Sequence, residues 1–226
     1  MKKFGEGENP QENTVEEKEG VIKTKADQLA EEFEADKNYS AAAEAYKKAD
    51  DTVKAQEMWK KQAELWLELA LEDKDTLNYY SEAAQAYEEA GATVMAKEIR
   101  EKQAELWINH NNCYSEAARN YEKAGDTVKA QEIWVKLAKK FEAEGNYLYA
   151  VRNYEKAGDT AKTQEMWRKL AEEFETDKNY TEAAEAYEKA GDTAKTQEMW
   201  VKLVEAYEKD GYIAMAKKIR RKLVEA

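Results

Sequence analysis

From Val21 to the end of the chain, apolar side chains recur at gaps of three and four, and short polar runs break the pattern at regular intervals. That spacing lines the apolar residues along one face of an α-helix. The interruptions are of two kinds, and they alternate. One is built on Asn-Tyr or a near variant (DKNYS, KDTLNYY, NHNNCYS, EGNYL, DKNYT), the other on Ala-Asp-Asp-Thr or Ala-Gly followed by Asp-Thr or Ala-Thr. The pattern therefore predicts an all-α chain of helical hairpins. After each YEKA the glycine is suited to the left-handed C-terminal cap, and the following Asp-Thr offers a side-chain oxygen to cap the next helix. In the other turn, asparagine's tolerance for turn geometry is expected to make the bend.

The hairpins are copies of one another. YEKAGDTAKTQEMW runs from Tyr154 to Trp167 and again, unchanged, from Tyr187 to Trp200, 33 residues later. YEKAGDTVKAQEIW begins at Tyr121, YEEAGATVMAKEIR at Tyr87 and YKKADDTVKAQEMW at Tyr46. A period in this range is the signature of a solenoid, in which each unit completes the core of its neighbour. Within one unit the skeleton is Trp167, Leu170, Ala171 and Phe174 on the first helix, then Ala183, Tyr187 and Ala190 on the second. The alanines matter as much as the aromatics, because small residues let helices approach while Trp and Phe fill the space between.

Composition narrows the class. One proline, nine glycines and 37% charged residues favour helix throughout. No run of about 18 apolar residues occurs and the first residues lack the apolar stretch of a signal peptide, so a cytoplasmic protein is expected. The single cysteine, Cys113, leaves no intramolecular disulfide. Residues 1–20, with the only proline, three glycines and six glutamates, read as a disordered acidic tail ahead of a solenoid over residues 21–226. The net charge of −12 argues against nucleic acid as a partner. The last helix runs most strongly the other way, with Lys217, Lys218, Arg220, Arg221 and Lys222 against Glu225. Those charges suit a solvated capping helix whose positive end complements its macrodipole, or a patch for an acidic partner or anionic membrane.

The skeleton resembles the tetratricopeptide repeat over nearly all of residues 23–226. The other units match as Trp134, Leu137, Ala138, Phe141, Ala150, Tyr154 and Ala157, and as Trp59, Ala63, Trp66, Ala83, Tyr87 and Ala90. The first unit has Ala26 in the Trp slot, the third has Arg100 there with Trp107 further on, and the last has Arg220 in the Tyr slot. The resemblance implies a right-handed superhelix of six hairpins. Two departures stand out. The family's proline is replaced by a Gly-Asp-Thr turn, and the second unit carries about eight extra residues around LALEDKDTLN, expected to lengthen a helix or push out a loop. The AAxAYxxAGD texture also resembles the soluble NSF attachment proteins, adaptors in membrane fusion with a similar helical array.

The tetratricopeptide resemblance implies a concave surface on the first helices, at the positions two before the Trp slot and one, five and eight after it. In this chain those are Thr24, Asp27, Glu31, Glu34; Glu57, Lys60, Glu64, Leu67; Glu98, Glu101, Glu105, Ile108; Glu132, Val135, Lys139, Glu142; Glu165, Arg168, Glu172, Glu175; and Glu198, Val201, Glu205, Glu208. Sixteen of the 24 are acidic and three basic. Such rows would set up a negative potential attracting a cationic segment, with Leu67, Ile108, Val135 and Val201 as apolar contact points. Like charges repeated without partners cost stability, which favours a binding role over a merely solvated glutamate face.

Catalytic chemistry has little to draw on. His110 and Cys113 in NHNNC have a spacing a metal could use, but no further His or Cys supplies the remaining ligands, and nothing orients them as a nucleophilic pair. No Gly-rich phosphate loop is present. All six tryptophans fall in skeleton slots, where packing accounts for them. The expectation is a non-enzymatic scaffold without cofactors that binds a basic or amphipathic peptide. The alternatives are self-association, with the basic last helix docking on the acidic groove of a second copy, and a membrane-fusion adaptor.

Overall fold

A computed structural model describes residues 12–72 and 77–225 of the chain. Twelve helices follow one another among these residues, with no strand: α1 (Glu12–Ala35), α2 (Tyr39–Lys48), α3 (Thr52–Glu72), α4 (Leu77–Glu89), α5 (Thr93–Asn111), α6 (Tyr114–Lys123), α7 (Thr127–Ala143), α8 (Tyr147–Ala157), α9 (Thr160–Thr176), α10 (Tyr180–Lys189), α11 (Thr193–Lys209) and α12 (Ile213–Glu225). They divide into two compact units, residues 1–111 with 123–125, and residues 112–122 with 126–226. In the first unit successive helices pack together from α1 through α5, and in the second from α7 through α12. Each unit is thus a run of antiparallel hairpins, the all-helical repeat architecture that the periodicity predicts.

The turns follow from local chemistry. Gly91, Gly158 and Gly191 end their helices at φ between +69° and +76°, where a residue with Cβ would be strained. Asp51, Asp126, Asp159 and Asp192 each accept the backbone N–H three residues on through a side-chain oxygen, at 3.0–3.1 Å. Asparagine plays a different part from the one expected of it. Asn38, Asn146 and Asn179 sit at the N-cap with φ of −85°, −88° and −81°. The left-handed residue is the one before: Lys37 (57°), Gly145 (73°) and Lys178 (62°). Helix start and chain reversal are separate jobs here, and among the described residues asparagine takes the left-handed conformation itself only at Asn112.

The core is built from alanine stripes and the rings between them. In the first unit Ala30, Ala42, Ala43, Ala45, Tyr46, Ala55 and Met58 form one cluster, against which Phe33, Tyr39 and Trp59 pack. In the second, Ala171, Ala183, Ala184, Ala186, Tyr187 and Met199 repeat it, with Trp167, Phe174, Tyr180 and Trp200 at the side. The skeleton read from the sequence missed one member. Met58, Met166 and Met199, each just before a tryptophan, are fully buried, whereas of the six tryptophans only Trp134 is.

Two segments depart from the regular unit. The extra residues of the second hairpin lengthen both flanking helices: α3 has 21 residues where α7, α9 and α11 have 17, and α4 has 13 where α2 and α10 have 10. At the other end of the first unit, α1 begins at Glu12, so backbone helix occupies residues 12–20 of the stretch that composition assigns to a disordered tail. Glutamate's good helix propensity lets the helix continue backward from the apolar-spaced segment. Residues 1–11 of that tail lie outside the described residues.

Candidate partner-binding surface

The four positions carried over from the tetratricopeptide pattern have four different fates, and the Trp-slot numbering separates them cleanly. Eight residues after the slot, the carboxylates are structural. Glu142 Oε1 accepts from Lys169 Nζ at 2.8 Å and its Oε2 from the Tyr154 hydroxyl at 2.9 Å. Glu175 does the same with Lys202 at 2.6 Å and Tyr187 at 2.9 Å, and Glu34 with Lys61 at 2.7 Å and Tyr46 at 3.4 Å. Each clasp joins one helix to the next helix of the hairpin, 12 residues on, and to the hairpin after, 27 residues on. The lysine hydrogen bond is the first cause holding Glu34, Glu142 and Glu175 below the usual carboxylate range, opposed by burial. Glu208 pairs with Arg220 at 3.0 Å. Leu67 and Ile108, in the same slot, are half-buried.

Two residues before the slot, charge is also largely neutralised. Glu57 lies 3.4 Å from Lys61, Glu165 2.9 Å from Lys162 and 3.2 Å from Lys169, and Glu198 3.2 Å from Lys195 and 2.8 Å from Lys202. Only Glu98 and Glu132 lack an ion pair in that row among the described residues. The expectation of repeated, partnerless like charge is corrected here. Lys61, Lys169 and Lys202 stand two residues after the Trp slot, a position the groove pattern omits, and from there each reaches two carboxylates at once.

One residue after the slot the row is mixed. Asp27 is half-buried, Lys60 exposed, Glu101 3.7 Å from Lys97, and Arg168 3.8 Å from Asp192. Val135 is half-buried against two core clusters, so its contacts are spent within the chain, while Val201 is 46% exposed.

Five residues after the slot, every side chain is exposed: Glu31, Glu64 and Glu105 in the first unit, Lys139, Glu172 and Glu205 in the second. None has an ion pair or side-chain hydrogen bond among the described residues. Of the four rows, this is the one in which every charge remains available among the described residues, and it is uniformly acidic only in the first unit. The third unit, moreover, has Arg100 in the Trp slot as a buried cation, its Nε and Nη2 on Glu88 Oε1 at 2.9 and 2.7 Å. Trp134 uses its indole N–H in the same way, donating to Glu122 at 2.7 Å across the same 12-residue interval.

The last helix keeps its positive surface, with Lys217, Lys218, Arg220 and Arg221 exposed. Beside them Tyr212, Ile213 and Met215 are about half exposed, and a cavity of ≈ 580 Å³ opens among Trp200, Tyr207, Met215, Ile219 and Leu223. Of the pair His110 and Cys113, only the Cys113 side chain is described, half-buried just before α6. No group of three potential metal ligands comes together among the described residues, and none of the helices there is long and apolar enough to cross a membrane.

Comparison with known proteins gives one family. The model for soluble NSF attachment protein, SNAP, matches residues 12–207. No curated protein matches the chain. Among solved structures, the crystal structure of BtubC (BKLC) from P. vanneervenii is similar over 96% of this chain and 91% of that one, at 18% identity and a TM-score of 0.25.

Proposed function

The chain belongs to the soluble NSF attachment protein family, and from that premise we propose that it is a non-enzymatic adaptor whose first helices hold a basic or amphipathic segment of a partner protein. The observation that carries this reading is the row of Glu31, Glu64 and Glu105 on α1, α3 and α5 of the first unit. All three are exposed and make no ion pair or side-chain hydrogen bond among the described residues, while Glu34 and Glu57 on α1 and α3 are tied to Lys61. A solvated glutamate face needs no such division. Carboxylates left free at one slot, above others already neutralised, present directed negative charge that steers a cationic partner and fixes its register.

Fluorescence anisotropy of a labelled basic amphipathic peptide against the full chain tests this. Binding should weaken steeply as salt rises from about 50 to 300 mM, since exposed charges are screened over a Debye length of about 8–10 Å. Glu64→Lys with Glu105→Lys should weaken it at least tenfold, an effect of about 1.4 kcal/mol, and Lys60→Glu should tighten it. Binding indifferent to both changes would end the reading.

A second reading, self-association, is favoured by the half-exposed Tyr212, Ile213 and Met215 beside the basic surface of α12. Light-scattering mass measured across concentration and salt separates the two. A constant monomer mass at high concentration rejects self-association, whereas a salt-sensitive oligomer that binds no peptide replaces the first reading with it.

A further inference from the structure

Two tryptophans of the second unit are covered by the chain's own cations. Lys156 Nζ lies 4.0 Å from the ring centroid of Trp134, and Lys189 Nζ 4.3 Å from that of Trp167. Both lysines come from the Tyr-Glu-Lys at the end of the hairpin's second helix, 22 residues after the tryptophan they cover. At the corresponding place after Trp59 the motif reads Tyr87-Glu88-Glu89, so a carboxylate stands where the cation would.

Trp59 faces a cavity of ≈ 450 Å³ among α2, α3 and α4. Trp59 and Trp66 line it, and Glu44, Glu82 and Glu89 stand at its exposed rim. Lys47 is the single cation lining it, and among the described residues no cation of the chain lies over either indole. The cavity also contains Gln62, only 8% exposed, in the position that Leu137, Leu170 and Leu203 fill in other units. Its carboxamide oxygen accepts from the Ser40 backbone N–H at 3.2 Å, while its Nε2 makes no hydrogen bond among the described residues. A carboxamide in place of a leucine makes the wall of the cavity polar where the other units bury an apolar side chain.

We propose that this cavity binds the ammonium of a lysine side chain presented by a partner protein. The cation would lie on the Trp59 face as Lys189 lies on Trp167, attracted by the ring quadrupole, with Glu44, Glu82 and Glu89 supplying the negative field. The chain shows the geometry in its own second unit, and the exchange of lysine for Glu89 both vacates the seat and reverses the charge beside it. Helical spacing puts Trp59, Gln62 and Trp66 on the side of α3 opposite Glu57, Lys60 and Glu64, so the site stands apart from the acidic face proposed above.

The test is a titration of the full chain followed on its six indole N–H resonances, with those of Trp59 and Trp66 assigned through Trp59→Phe and Trp66→Phe. The probe is Nα-acetyl-lysine methylamide, and the norleucine analogue controls for apolar contact. Saturable shifts of the Trp59 and Trp66 signals with lysine, and none with norleucine, are expected. Glu89→Lys, which restores the arrangement of Lys189, should weaken binding by roughly tenfold while the spectrum stays that of the folded chain; Glu89→Gln should weaken it less. Glu64→Lys should leave the titration unchanged. Equal shifts with norleucine, no saturable shift at Trp59, or undiminished binding by a folded Glu89→Lys would each overturn the proposal. Loss of binding in Glu64→Lys would move the lysine site to the acidic face.

Discussion

Replacing Tyr154 by phenylalanine removes one hydroxyl from a side chain with 0% exposure and leaves the ring where it is. That hydroxyl donates to Glu142 at 2.9 Å, and the same carboxylate accepts from Lys169 at 2.8 Å, so a single group ties α7 to both α8 and α9. A hydrogen bond to a charged acceptor contributes about 1.5–3 kcal/mol. Glu142 keeps Lys169 and is only half-buried, so water can take the vacated oxygen, and the expected cost falls to about 1–2 kcal/mol. For a chain of this length that lowers Tm by about 2–8 °C. Tyr187→Phe, with the same 2.9 Å contact to Glu175, should cost as much, and Tyr46→Phe, whose hydroxyl is 3.4 Å from Glu34, about half. Urea unfolding followed by circular dichroism measures all three, with an unchanged slope required because repeat arrays can lose cooperativity. A double-mutant cycle of Tyr154→Phe with Glu142→Gln should return a coupling of about 1 kcal/mol. A Tyr154→Phe protein as stable as the parent would show that ring packing alone holds the hairpins together, and a Tyr46→Phe loss equal to the Tyr154→Phe loss would refute the dependence on the 2.9 and 3.4 Å distances.

Three further outcomes are expected. Lys178→Gly should stabilise the chain by about 0.5–1 kcal/mol: a non-glycine residue at φ 62° costs roughly 1–2 kcal/mol, and glycine's extra freedom in the unfolded chain takes back part of the gain. Gly145→Lys, at φ 73° with open space where a Cβ would stand, should lose a similar amount, and the pair can be read in one set of urea curves. Arg100→Ala should cost about 2–3 kcal/mol, short of the penalty for a fully buried pair because Glu88 is largely exposed, while Arg100→Trp, which restores the ring and N–H that Trp134 offers Glu122, should cost far less; equal losses would mean the slot is read for size alone. Stability should also be lost at both ends of the pH range. The carboxyls of Glu34, Glu142 and Glu175 are depressed from 4.5, chiefly by their lysine hydrogen bonds, so their contribution is present above that value and disappears as pH falls through the folded pKa. Burial raises the Tyr154 and Tyr187 hydroxyls above 10.0, so theirs is intact below pH 10 and is lost as pH rises past it. A urea midpoint that falls between about pH 5.5 and 9 would contradict this assignment.

The hairpins, their caps and their register could be read residue by residue because each depends on neighbours close in sequence. Helical spacing of apolar residues, glycine after YEKA and aspartate before threonine act within a few residues, and a copied unit states the same instruction several times over. Asparagine in DKNY was misread for a related reason. Composition shows that a turn is present, but which of two adjacent residues takes φ > 0 is settled by the bonds from Lys178 to Glu175 and from Asn179 to Phe174, which close the preceding helix.

Pairs such as Glu57–Lys61 and Glu198–Lys202, four residues apart on one helix, were open to the sequence, but the clasps between helices were not. Glu142, Glu165 and Glu172 are the same residue on similar helices, yet one clasps a tyrosine and a lysine, one is neutralised beside it and one stands free. Glu165 stands four residues before Lys169 on the same helix, whereas Glu142 reaches that lysine only because α7, α8 and α9 pack across a separation of 27 residues. The tryptophans divide in the same way. Spacing placed all six in skeleton slots, but whether an indole is buried, covered by a lysine or open to a cavity depends on the residue that the next hairpin lays over it. Side-chain type and local period are properties of the chain, whereas the partner of a long side chain is a property of the packing, because ion pairs and ring contacts form only between groups that folding has brought within a few ångströms.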